Sequence, residues 1–177
     1  GDVELFARFR APYAKVIAIT GSNGKTTVTT LVGEICKQAG LNTIVAGNIG
    51  VPVLDTLQMT APDVYVLELS SFQLEAIKRL QIDAATILNL SEDHMDRYSG
   101  MEDYAQSKAR IYQHARIAIV NRDDPASAAL AGQLPQVSFG VNPAPTINDY
   151  GLNDLGWLCA GNRHYIEADS LHIRGKH

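Results

Sequence analysis

The sequence predicts an α/β domain built on a doubly wound, mostly parallel sheet with a phosphate-binding loop, plus a small antiparallel β unit near the C-terminus. Three observations predict it. Short runs rich in Val and Ile alternate with helix-like stretches, as expected of strands covered on both faces. A glycine loop ending in Lys-Thr follows the first run and opens the first long helix. After Phe139 the composition turns to Pro, Gly and Asn, and three short pieces follow with turn residues between them.

Taken in order, VIAIT from Val16, TIVA from Thr43, VYVLEL from Val64, AATILNL from Ala84 and RIAIV from Arg116 read as strands. Helices are predicted over residues 26–39 (closed by Gly40), 72–80, 101–114 and 125–131. Residues 140–153 read as loop, and GWLCA, RHYIEA and LHIR as the antiparallel unit. The 177 residues make one domain, against a prior of about 150 per domain. Its α/β core is expected over about 12–140 and its β subregion over about 150–177.

Composition narrows the class. Apolar residues at 46% and charged residues at 19% exclude intrinsic disorder. A net charge of -4 argues against nonspecific nucleic-acid binding. Cys36 and Cys159 alone make neither a disulfide framework nor a four-ligand zinc site, which fits a reducing cytosol. No apolar run approaches the ~20 residues that span a bilayer, and the opening Gly-Asp-Val-Glu lacks the features of a signal peptide. The reading is a soluble, cytoplasmic domain with no membrane or nucleic-acid partner. The end at Lys176-His177, without a terminating signal, predicts a piece of something longer.

The chemistry is concentrated in Gly21-Ser22-Asn23-Gly24-Lys25-Thr26-Thr27. Glycines let backbone N–H groups approach phosphate oxygens, and a helix N-terminus adds a favourable dipole. Lys25 would reach the β- and γ-phosphates of ATP, and the Thr26 hydroxyl would ligate Mg²⁺. The usual spacing asks for a glycine five residues before Gly24, where this chain has Ile19, so the loop is a shorter variant. The bland alternative is an ordinary strand-to-helix turn. Glu68 ends the run VYVLE at the carboxyl edge of a predicted parallel strand, where ligands gather in open α/β sheets. Beside a phosphate loop it reads as a Mg²⁺ ligand; alone it would read as a helix cap or a surface charge.

TGSNGKTT, GNIG from Gly47, LELSSFQLE from Leu67, LNLSEDHMDRY from Leu88 and SKARIY from Ser107 together resemble the Mur ligases of peptidoglycan synthesis. LELSSFQL with EDHMDRY is most similar to the members that add D-glutamate. The resemblance implies the ATP-binding central domain of a three-domain enzyme, inactive alone without its UDP-binding N-terminal and its C-terminal domains. It implies an acyl phosphate made from ATP and the carboxylate of a UDP-muramoyl-peptide, then displacement of phosphate by the amine of D-glutamate. It also implies two Mg²⁺ ions, one held by Thr26 and Glu68, the other by His94 and by Lys108 carbamylated with CO₂. Lys25, His94 and Lys108 would then be catalytic, and Asn48 and Ser70 would touch the muramoyl substrate. The final RGKH resembles the start of a family segment in which an adenine-contacting Asn follows the His.

Without the resemblance, His94 would read as a loop or capping residue, and Lys108, on a predicted helix, as a solvated cation; an unmodified ammonium has donors and no acceptor, so it cannot ligate a metal. Asp93 and Asp96 fit turns or caps. His114, His164 and His172 have no partner pattern and read as structural or surface residues. Rival functions are another Mur or folylpolyglutamate-type ligase, a phosphate-loop switch or kinase, and a purely structural module. A switch would need an Asp-x-x-Gly sensor after the Glu68 strand, and the sequence offers no convincing one.

Overall fold

The computed structural model describes residues 1–93 and 96–171. Its centre is β1 (Lys15–Thr20), whose Val, Ile and Ala side chains are buried on both faces from Val16 onward apart from a half-buried Ile17. β1 runs parallel to β3 (Val64–Glu68) on one side and to β4 (Ile82–Ile87) on the other, with Ile17 opposite Val66 and Ala84. β2 (Thr43–Gly47), β5 (Ala115–Asn121) and β6 (Gln136–Phe139) extend a six-stranded sheet in the order β2-β3-β1-β4-β5-β6. All five pairings are parallel, as the continuous apolar runs predict. The sixth strand, QVSF, lies outside the predicted set: at four residues, two of them polar, it is too short to declare itself.

Helices cover both faces unequally. α2 (Lys25–Gln38) packs Val28, Val32 and Cys36 against Ile19, Val64 and Val66 on one face. The other face carries α1 (Asp2–Phe9), α3 (Ser71–Glu75), α5 (Pro125–Ala129) and a 3₁₀ turn (Arg110–Tyr112), which bring Phe6, Leu74, Ala128 and Ile111 onto Ala18, Tyr65, Leu67 and Ala118. α1 lies outside the predicted set because its signal is only two turns long: Val3 and Phe6 point inward one turn apart, and Phe6 meets the Tyr65 ring edge-on at 4.9 Å.

Two predicted helices end early, for identifiable reasons. The predicted 72–80 helix stops at Glu75, because the backbone N–H groups of Lys78 and Arg79 donate to the Glu4 carboxylate of α1 at 2.9 and 3.1 Å instead of continuing a helical ladder. The predicted 101–114 helix is α4 (Met101–Ala109) followed by the 3₁₀ turn. That tighter turn buries Ile111 and brings the Tyr112 hydroxyl to accept from the Ile87 N–H at 3.2 Å.

The antiparallel unit is present, with a different third strand. β8 (Trp157–Ala160) and β9 (Arg163–Glu167) match GWLCA and RHYIEA, but they are joined by β7 (Tyr150–Leu152), which lies inside the predicted 140–153 loop. Of the predicted LHIR piece, His172 to Arg174 lie outside the described residues. Both cysteines are free.

Candidate functional site

The carboxyl ends of β1, β2, β3 and β4 gather the residues singled out from the sequence. β1 stops at Thr20, the loop turns through Gly24 at φ 76°, and α2 begins at Lys25. No atom lies within 4 Å of the position a Gly24 Cβ would take, so glycine is required there by the left-handed backbone and not by crowding. The first helical bond runs from the Val28 N–H to the Gly24 carbonyl, so the amides of Lys25, Thr26 and Thr27 precede the ladder and form the electropositive start of the helix.

Lys25 curls back over the loop. Its ammonium donates to the Gly21 and Ser22 carbonyls, both at 2.9 Å. Lys108, from the last turn of α4, donates to the same Gly21 carbonyl at 3.0 Å, so two cations converge on one oxygen. Lys108 is 2% exposed and lies 4.6 Å from the centre of the Tyr104 ring, which is not the solvated setting expected of a lysine on a helix. Burial, with the nearby Lys25 charge, pulls its amine down to about 8, against a smaller opposing pull from Asp93.

Glu68, 1% exposed, sits at the end of β3 and accepts two hydrogen bonds. The Thr26 hydroxyl donates to Oε2 at 3.0 Å, and Asn48 Nδ2 donates to Oε1 at 3.0 Å. Asn48 is held in turn by its own backbone N–H, which donates to the Glu68 carbonyl at 2.9 Å. Gly47 makes this approach possible: its φ is 111°, and a Cβ there would collide with the Glu68 carbonyl. Ser70 caps α3 in a reciprocal capping box with Gln73. The loop residues, Lys25, Thr26, Asn48, Glu68 and Lys108 are therefore linked by direct contacts. His94 lies outside the described residues. His164 is exposed, with its ring 6.1 Å from Trp157, away from this cluster.

The carboxylate and hydroxyl of Glu68 and Thr26 are hard oxygen donors of the type Mg²⁺ takes. Among the described residues no group of three or more His, Cys, Asp or Glu is placed to hold a metal, so a cation here would need oxygens from a phosphate as well. Three features beside the site are not predicted by the sequence. The segment 88–91 runs along the loop, with the Ser22 hydroxyl donating to the Ser91 carbonyl at 3.0 Å. Tyr104, fully buried, reaches the Ser22 hydroxyl at 3.2 Å. Glu75 accepts from Tyr98 at 2.8 Å and Arg97 at 3.2 Å, while the Arg97 guanidinium lies 4.1 Å over the Phe72 ring. Asn89 and Ser91 fall within the motif LNLSEDH, and their position just past β4 was the available signal.

A glycine loop between strand and helix, Lys-Thr at the helix start and a buried acid at the end of the neighbouring strand define the phosphate-loop class of α/β domains. The family model for the Mur ligase middle domain matches residues 19–153. The chain belongs to the Mur ligase family, as its middle domain. The enzyme named UDP-N-acetylmuramoylalanine--D-glutamate ligase from Methylobacillus flagellatus is 55% identical over 181 residues, covering 100% of this chain and 40% of that protein. Its namesake from Aliivibrio salmonicida is 52% identical, over 100% of this chain and 39% of that one. The chain thus spans about 40% of the length of the curated relatives it matches. Among solved structures, MurF from Acinetobacter baumannii superposes with a TM-score of 0.68 at 24% identity, over 86% of this chain and 36% of that one. E. coli FolC in complex with DHPP and ADP gives 0.65 at 16%, over 94% and 51%. These two share the fold. Among the described residues no helix is long and apolar enough to cross a membrane.

Proposed function

We propose that this chain is the ATP-binding middle domain of a cytoplasmic enzyme that joins D-glutamate to UDP-N-acetylmuramoyl-L-alanine in peptidoglycan precursor synthesis. The observation that carries the reading is the direct link between loop and acid, Thr26 to Glu68, at the mouth of a glycine loop that also presents Lys25. The relatives' names and their match over this whole chain support D-glutamate as the amine.

In this reading a carboxylate oxygen of the muramoyl substrate attacks the γ-phosphorus of ATP and ADP leaves. The D-glutamate nitrogen then attacks the acyl carbon and phosphate leaves. The obstacle is bringing an anionic carboxylate to an anionic triphosphate. Lys25 and the α2 amides hold phosphate oxygens, and Lys25 exchanges its two carbonyl contacts for them. Thr26 and Glu68 would hold Mg²⁺, which when bound neutralises charge between phosphates and carboxylate. Asn48 fixes the Glu68 carboxylate, and with Ser70 would touch the muramoyl substrate. Lys108 as an ammonium cannot ligate a metal, but a carbamate formed with CO₂ would offer anionic oxygen and, with His94, hold a second Mg²⁺. Burial favours the neutral amine that CO₂ requires. UDP and D-glutamate would be held by flanking domains, and this chain alone would be inactive because attack geometry needs all parts together.

The test is the full-length enzyme assayed for ATP-dependent joining of D-glutamate to UDP-N-acetylmuramoyl-L-alanine, with L-glutamate, lysine and diaminopimelate as competing amines. Selective product with D-glutamate is expected. Preference for another amine, or ATP-independent product, would overturn the reading.

A further inference from the structure

The loop is shorter than the usual phosphate loop because Ile19, 1% exposed, is committed to β1 where a first glycine would begin the turn. A shorter loop has less of its own chain with which to fix its shape. The support comes from outside. Past the end of the β1–β4 pairing, the Leu88 N–H donates to the Thr20 carbonyl at 2.9 Å and the Ser22 N–H to the Asn89 carbonyl at 3.0 Å, which prolongs the ladder into the loop. There the Asn89 side chain takes over. Its Oδ1 accepts the Asn23 N–H at 2.8 Å and its Nδ2 donates to the Asn23 carbonyl at 3.1 Å, a two-point grip on one residue's backbone. Beyond it, Asn23 Nδ2 donates to Ser91 Oγ at 3.0 Å, and the Ser91 N–H to Ser22 Oγ at 2.9 Å.

This bonding divides the loop's amides. Those of Ser22 and Asn23 are spent on segment 88–91, while those of Lys25, Thr26 and Thr27 stand ahead of the helical ladder. Phosphate oxygens are therefore left the helix-start amides, and the turn at Gly24 that aims them hangs from Asn23. We propose that Asn89 is a positioning residue for nucleotide binding, its carboxamide holding the Asn23 backbone so that the short loop keeps the shape its phosphates require. The inference rests on the reading that this loop takes the phosphates of ATP. It gives the LNLS part of the motif a task distinct from the metal chemistry expected of His94 further along.

In the full-length ligase, Asn89→Ala should raise the KM for ATP about tenfold, the scale of two neutral hydrogen bonds lost. The KM values for the other two substrates should stay within about twofold, since only the loop's shape is touched. Amide hydrogen exchange across residues 22–24, followed by mass spectrometry without nucleotide, should speed up in Asn89→Ala. An unchanged KM for ATP despite faster exchange would overturn the proposal, as would unchanged exchange. So would a parallel rise in all three KM values with a lowered melting temperature, the mark of a general structural role. Lys25→Ala in the same series separates the two levels: if it too leaves the KM for ATP unchanged, the phosphate-loop reading itself fails.

Discussion

Lys108 combines three conditions that rarely meet on one lysine: burial, a second cation nearby and an aromatic ring beneath it. Its amine is pulled down to about 8, so above that pH the folded protein carries it neutral while the unfolded chain keeps it charged up to its ordinary value of 10.5. The unfolded state then binds the extra proton, and stability rises with pH across this window. Relative to Lys108→Met, the wild-type chain should gain about 2 kcal/mol between pH 8 and 10, read from urea unfolding at each pH. The raised tyrosines, such as Tyr112 at about 12, act in both proteins and cancel in the difference. A flat difference would show that Lys108 titrates as an exposed lysine does. If Lys108 is carbamylated in the working enzyme, Lys108→Ala should lose most activity, and added acetate should restore part of it by supplying carboxylate oxygens. A loss that no short carboxylic acid relieves would count against the carbamate. Sequence alone pointed to Lys108 only through its motif, because burial of a helical lysine depends on what α4 packs against. Glu68 and Thr26 were legible for a local reason, since each sits where a strand end or helix start must present it.

Elements were legible where their signal is local and missed where a partner decides. The five Val- and Ile-rich strands follow from short apolar runs bounded by turn residues, and α2 from the glycine loop before it and Gly40 after it. The early end of α3 follows from Glu4, seventy-odd residues upstream, and no local pattern around Lys78 foretells it. β7 likewise reads as loop until β8 offers it a ladder. The Glu4 carboxylate, gripped by the Lys78 N–H and also by Arg8 and the Arg79 N–H, is held below its ordinary range despite the opposing effect of burial. A carboxylate so lowered stabilises the fold above its ordinary pKa and loses that contribution as pH falls through the lowered value. Glu4→Gln should therefore lower the melting temperature at pH 7, and the gap to wild type should narrow on acidification towards pH 3. A gap that stays constant with pH would mean that α1 is held by Phe6 packing alone.

At the scale of the molecule, one sheet face is unevenly clothed. α2 covers it over β3 and β1, whereas Ile17, Ala84, Thr86, Ile119 and Phe139 line an apolar hollow of about 280 Å³ beside it. Parallel sheets ordinarily bury both faces. The 177-residue chain alone should therefore self-associate with rising concentration in sedimentation runs. Ile117→Lys, placed two residues from Ile119 and on the same face of β5, should reduce that association; no change would mean that another surface drives it. The carboxyl edge of the same sheet carries the central claim, that the loop from Gly21 to Thr27 is a nucleotide phosphate site. Titration calorimetry of Mg-ADP into the wild-type chain and into Lys25→Ala tests it most directly. Binding by the wild type that weakens at least tenfold in the variant is the predicted result, the scale of a lost charge-assisted contact. Equal affinity in the two proteins would contradict it.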